Sequence, residues 1–227
     1  MNLKSFVLLI ALLIAAPGFA ADANLATDKA KIGYSIGMQV GSQLANNIRQ
    51  DELDIDTAAL LLAIQDMLAG KPPRLTNEEF TTAMNMLREQ QMQKQSKLAE
   101  ENKIKGETFL AANKSKPGIK VLPSGVQYKV IKSGTGKSPT ATDSVVAHYR
   151  GTLVDGTEFD SSISRGQPAT FPVNGVILGW QEILQKMKVG DKWEVFIPSE
   201  LGYGARGTPG IGPNSALIFE IELLDVQ

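Results

Sequence analysis

The chain has 227 residues, 43% of them apolar and 21% charged, with 23 basic side chains against 24 acidic for a net charge of −1. That length allows one or two domains with a buried core, and the charge balance excludes the basic footprint of a nucleic-acid binder. With no Cys and a single His, disulfides, thiol chemistry and Cys-ligated or paired-His zinc sites are excluded too.

The first predicted element is a secretory leader over residues 1–20. Lys4 supplies a positive start, Phe6 to Ala16 an apolar run, and Pro17-Gly18-Phe19-Ala20 a small-residue break. The run is shorter than the roughly 20 residues of a membrane span. Cleavage is expected after Ala20 or Ala23. An exported chain without Cys suits a bacterial periplasm, either free there, associated with the outer membrane, or displayed at the surface of a Gram-negative cell.

Residues 21–75 read as a helical region. Thr27 caps a first helix that carries Ile32, Ile36, Val40, Leu44 and Ile48 along one side. Gly33, Gly37 and Gly41 repeat on the neighbouring stripe. Gly costs up to about 1 kcal/mol relative to Ala inside a helix, so three in register call for close approach of another helix. That helix is either the next one in the chain or belongs to a second copy. The second copy is favoured, because the neighbouring segments offer little apolar surface. Asp54 or Asp56 starts a second helix whose Leu60, Leu61, Ile64, Met67 and Leu68 are expected to pack inward, and Gly70 with Pro72-Pro73 ends it.

Thr76-Asn77-Glu78-Glu79 is a capping-box pattern opening a third helix. Its first turns are amphipathic through Phe80, Ala83, Met84 and Leu87. From Arg88 to Lys103 only Met92 and Leu98 are large and apolar. A helix polar all round either bridges domains through solvent or is not stable. The cap and the helix-forming composition favour one continuous helix over 76–113, about 55 Å long at 1.5 Å per residue. Met84, Met86 and Met92 are expected at packing surfaces or interfaces.

A linker over 114–118, Lys114-Ser115-Lys116-Pro117-Gly118, separates this helix from a Gly-, Pro-, Val- and Ile-rich region over 119–227. Strands are predicted at Ile119–Leu122, Gly125–Lys132, Ser144–Gly151, Ala169–Val173, Lys192–Ile197 and Ala216–Leu224, with one short helix at Leu178–Met187. The class is α+β: a bent antiparallel sheet packed on one helix, preceded by an all-helical region. Gly136-Lys137-Ser138 is not a phosphate loop, because Ile131 stands where its first Gly must be. A Ser-His-Asp triad would have to use His148, which reads better as structural.

Several fragments then occur in a specific order: Val145-Val146-Ala147-His148-Tyr149 with Gly151, Asp155-Gly156 with Phe159-Asp160-Ser161-Ser162, and Val176-Ile177 with Gly179-Trp180. Gly202-Tyr203-Gly204-Ala205, Pro209-Gly210-Ile211 and Pro213-Asn214-Ser215-Ala216-Leu217-Ile218-Phe219 complete the set. Together they resemble the FKBP-type peptidyl-prolyl cis/trans isomerases over essentially all of 118–227. The N-terminal region with its long helix further resembles the macrophage infectivity potentiator subgroup of secreted bacterial members.

The resemblance implies an isomerase domain over 119–227 and a homodimer formed through the N-terminal helices. It implies no cofactor and no metal. It places Asp160 and Tyr203 as the catalytic side chains, with Tyr149, Phe159, Phe171, Val176, Ile177, Trp180, Ile211 and Phe219 binding substrate, the Ile177 N–H as a donor and Arg165 as a base paired with Asp160. The implied partners are proline-containing unfolded or partly folded proteins, with macrolide inhibitors as candidate ligands of the same pocket. Ala169 and Gly212 depart from larger residues in better-known members and are expected to leave the rim more open. Two other functions compete: a folding chaperone in which the pocket is secondary, and a binding or adhesion module without turnover.

Overall fold

The computed structural model describes residues 24–227, so the predicted leader and both cleavage positions lie outside the described residues. The chain divides into two compact units, one ending at Arg74 and one running from Leu75 to Gln227.

The first unit holds α1 (Asp28–Gln50) and α2 (Thr57–Leu68). Thr27 caps α1 by accepting the Ala30 N–H, and Asp56 caps α2 by accepting from Ala58 and Ala59. Beyond α2, the buried Asp66 carboxylate accepts from Arg74 Nε at 2.5 Å and Lys71 Nζ at 3.1 Å, which fastens the Pro72-Pro73 exit to the helix. Hydrogen bonds from Arg74 and then Lys71 hold this carboxyl below its ordinary range.

The expected inward packing of α2 is not found. Leu61, Ile64, Met67 and Leu68 are exposed, Leu68 to 86%. No residue of α1 is buried, and a Cβ added at Gly33, Gly37 or Gly41 would meet nothing within 4 Å. Two helices of one chain are too small to enclose these stripes, which therefore remain available for a partner.

The second unit opens with α3 (Asn77–Asn113), 37 residues long. Its capping box forms as predicted: the Thr76 N–H donates to Glu79 Oε2 at 2.8 Å and the Glu79 N–H to Thr76 Oγ1 at 3.2 Å. The later turns are not solvated all round. Leu98, Asn102, Gly106, Phe109 and Asn113 recur every three or four residues and meet the sheet domain. Gly106 is buried where the helix lies on Ala216, and the Phe109 ring sits 5.8 Å from that of Phe196. Asn113 Nδ2 donates to Gln127 Oε1 at 3.0 Å, and Gln127 Nε2 donates to the Leu110 carbonyl at 2.9 Å.

Seven antiparallel strands follow: β1 (Ile119–Val121), β2 (Gln127–Lys132), β3 (Ser144–Leu153), β4 (Glu158–Ser161), β5 (Ala169–Pro172), β6 (Lys192–Ile197) and β7 (Leu217–Val226). The order is β1-β2-β6-β7-β3-β4, and β5 shares the outer edge of β3 with β4. β4 was not among the predicted strands, since Phe159 alone of its four residues is apolar and no alternation shows. One helix, α4 (Leu178–Leu184), ends three residues before its predicted limit.

Alternate residues of the central strands face α4. Val145, Ala147 and Tyr149 of β3, Trp193, Val195 and Ile197 of β6, and Leu217, Phe219, Ile221 and Leu223 of β7 are all buried, as are Trp180, Ile183 and Leu184 of α4. Each buried aliphatic side chain contributes roughly 1.5–3 kcal/mol. No described helix is long and apolar enough to cross a membrane.

Candidate active site

The register across β3 sets the site. Gly151 faces Phe219 of β7 on one side and Asp160 of β4 on the other, while Tyr149 pairs with Ile221. A Cβ on Gly151 would lie 2.6 Å from the Phe159 ring and 2.8 Å from the Phe219 ring, so only glycine lets the two rings close together. They meet edge to face at 5.6 Å.

Trp180 in α4 is the floor. Its indole stands edge to face with Tyr149 at 5.4 Å, Phe171 at 5.7 Å and Phe219 at 5.2 Å. Each such pair is worth about 0.5–1.5 kcal/mol beyond its buried area. The resulting cavity has about 460 Å³ and brings together all ten sequence-predicted residues. Gly175, Thr208 and Pro209 also line it, and sequence reasoning did not assign them. Thr208 and Pro209 sit in a Gly/Pro-rich loop that carries no periodicity to mark a facing side.

One polar cluster interrupts the apolar wall. Asp160 accepts from the Tyr149 hydroxyl through one oxygen and from Arg165 through the other. Arg165 Nη2 also donates to the Tyr149 hydroxyl at 2.8 Å, with its guanidinium 5.6 Å from that ring's centre. Partial burial pushes the Asp160 carboxyl up, but the hydrogen bonds from Tyr149 and Arg165 outweigh it and hold the group below its ordinary value. Burial raises the Tyr203 hydroxyl, and the Asp160 charge adds to the effect, so Tyr203 stays protonated at neutral pH. Among the described residues, the donors without a hydrogen-bond partner at the cavity include the Tyr203 hydroxyl, the Ile177 N–H and the buried Trp180 Nε1.

His148 is structural, as expected. Its Nδ1 lies 3.1 Å from Ser162 Oγ, which also accepts the Tyr149 N–H at 2.8 Å. Ser162 is fully buried and makes no nucleophile. Neither Ala169 nor Gly212 lines the cavity. The expected opening at Gly212 does not arise, because α3 fills that space: a Cβ there would lie 2.8 Å from Asn102 Nδ2 and 3.6 Å from Leu98 Cδ2.

A family model described as FKBP-type peptidyl-prolyl cis-trans isomerase matches residues 135–224, and one described as the domain amino-terminal to that isomerase matches 29–130. The chain is 49% identical over 214 residues to an outer membrane protein MIP of Legionella longbeachae, covering 92% of this chain and 90% of the relative. It is 45% identical over 218 residues to FkpA, an FKBP-type peptidyl-prolyl cis-trans isomerase of Aeromonas hydrophila, covering 93% and 81%. The crystal structure of FkpA from Escherichia coli superposes with a TM-score of 0.66 at 36% identity, over 89% of this chain and 98% of that one.

Proposed function

The chain belongs to the FKBP-type peptidyl-prolyl cis-trans isomerases, and from that premise we propose that the cavity over Trp180 accelerates rotation about X–Pro bonds in exported polypeptides as they fold. The observation that carries this is the ring cage on Trp180, with the unpartnered Tyr203 hydroxyl and Ile177 N–H beside it. Rotation about a peptide bond must break its C–N resonance, at a barrier of about 18–20 kcal/mol. The two X–Pro isomers differ by only about 0.5–1 kcal/mol, so the task is kinetic and needs no nucleophile. A planar amide carries charge separation that water stabilises, and the twisted transition state has lost much of it. An apolar cage therefore favours the twisted form over the planar one, and its shape selects the twist.

In this reading Trp180, Tyr149, Phe159, Phe171, Val176, Ile177, Ile211 and Phe219 bind the prolyl segment. The Tyr203 hydroxyl and the Ile177 N–H donate to substrate carbonyls. Asp160 has both oxygens engaged by Tyr149 and Arg165, which supports its holding the wall in place over direct attack on the substrate. The test is protease-coupled isomerisation of an X–Pro peptide by the full chain. Acceleration is expected, and Tyr203→Phe should cost about fivefold in kcat/KM, one net hydrogen bond. A Tyr203→Phe, Asp160→Ala protein with full activity would remove both roles.

The setting of the enzyme belongs to the same proposal. Residues 1–20 act as an export leader, and the relative named an outer membrane protein supports a cell-envelope location. Residues 21–75 form a homodimer through Ile32, Ile36 and Val40, each about 60% exposed beside the open Gly33-Gly37-Gly41 stripe. The long helix over 76–113 and the linker over 114–118 lead to the isomerase domain over 119–227. Unfolded clients rest on the exposed apolar residues of the helices, which gives a chaperone activity beside the isomerase.

A further inference from the structure

The loop from Gly202 to Ser215 supplies Tyr203, Thr208, Pro209 and Ile211 to the cavity, yet it is only partly held by the sheet. Its internal bonds are few. Thr208 and Ile211 exchange N–H···O bonds at 2.9 and 2.8 Å, and Ser215 Oγ donates to the Gly212 carbonyl at 2.9 Å. The Asn214 N–H reaches across to the Gly204 carbonyl at 2.9 Å, directly after Tyr203.

Further support comes from α3. Asn102 Nδ2 donates to the Pro213 carbonyl at 2.9 Å, and Asn214 Nδ2 donates back to the Ala99 carbonyl at 3.4 Å. Between these ties lies Gly212, whose missing side chain leaves room for the Asn102 amide and Leu98. The helix and the loop thus fit together at Gly212, and from Asn214 a single hydrogen bond leads to the turn that aims Tyr203. A backbone carbonyl and a side-chain amide meeting where no side chain can intervene form a strut of defined length.

We infer that Asn102, which lies outside the residues matched by the isomerase model, is a positioning residue for the prolyl isomerase reaction. It acts through Pro213 and Asn214 to hold Tyr203 and Ile211 against the substrate. This rests on the reading of the cavity as the isomerase site. The consequence is that α3 belongs to the working enzyme and is not merely a spacer attached to it.

The test uses the full chain carrying Asn102→Ala, Gly212→Ala, or both. Asn102→Ala removes one donor from a half-buried position on the helix, so the thermal midpoint should fall only modestly while kcat/KM falls about fivefold. Gly212→Ala presses a Cβ onto the same amide and should give a similar loss. In the Asn102→Ala background it should add almost nothing, because the amide it strikes is gone. The amide resonances of Gly204 and Ile211 should shift in both single variants. Additive losses, losses that merely track the unfolded fraction, or single variants with native resonances and native kcat/KM would each overturn the strut. If the native chain itself fails to isomerise, the reading of the cavity falls instead. The strut is then judged on those resonances and on the affinity for a proline tetrapeptide measured by titration.

Discussion

Substituting Gly151→Ala sets two effects of known size against each other. In a strand, Ala gains about 0.5–1 kcal/mol over Gly from the smaller entropy loss. Here the added Cβ would stand 2.6 Å from Cε2 and Cζ of Phe159 and 2.8 Å from Cε1 of Phe219, where contact distance is about 3.5 Å. Both rings must retreat by nearly 1 Å. Overpacking of this kind costs about 1–3 kcal/mol, and the edge-to-face pair, worth about 0.5–1.5 kcal/mol, is strained as well. The clash wins, for a net loss of about 1–3 kcal/mol, or roughly 2–10 °C in the midpoint of a chain this size.

Because the same rings wall the cavity, a displacement near 1 Å should also lower kcat/KM by about tenfold or more. Protease-coupled isomerisation and thermal unfolding of the full chain read the two effects separately. Adding Phe159→Leu removes two of the three struck atoms, so the double variant should regain part of the lost thermal stability without regaining activity. A Gly151→Ala protein with native midpoint and native kcat/KM would refute the argument that ring position depends on this glycine.

Further outcomes follow from the same structure. Asp160 titrates below its ordinary value of 3.8, so its contribution is fully present above that value and is lost as pH falls through the lowered one. The kcat/KM profile should stay level between about pH 5 and 8, and a step inside that window would assign the dependence to another group. Asn113→Ala leaves Gln127 Oε1 without its donor in a buried setting. Urea unfolding should show a loss of about 1–3 kcal/mol, and an unchanged transition would show that water replaces the amide. Ile36→Glu places a charge in the exposed stripe of α1. Sedimentation should then show a monomer that has lost suppression of client aggregation but retains peptide isomerisation, whereas a persistent dimer would move the interface elsewhere.

The pocket was legible because its residues recur as an ordered set of short fragments, each anchored by a turn or a ring that the backbone needs at that place. Tyr149, Asp160, Trp180 and Tyr203 come from four separate elements, and no periodicity links them. The docking face of α3 was harder to read. Asn102, Gly106 and Asn113 sit at helical spacing, but a hydropathy pattern registers only apolar stripes, and this face works by amide hydrogen bonds and absent side chains. The same limit hid the role of Gly212, whose small size reads from sequence as an opening and in the fold as room for a helix. The stripes on α1 and α2 were visible as apolar, but whether they face inward is decided by what surrounds them.

The position of β7 has a consequence for how the protein is made. This strand lies between β6 and β3, and it carries Phe219 into the cavity. Residues 217–226 are synthesised after every other described strand, so until they arrive the sheet remains two unconnected halves and the floor lacks its ring contact with Phe219. Neither half can mature fully until this last described strand is in place. The order of the strands thereby delays closure of the sheet until almost the whole domain has been made.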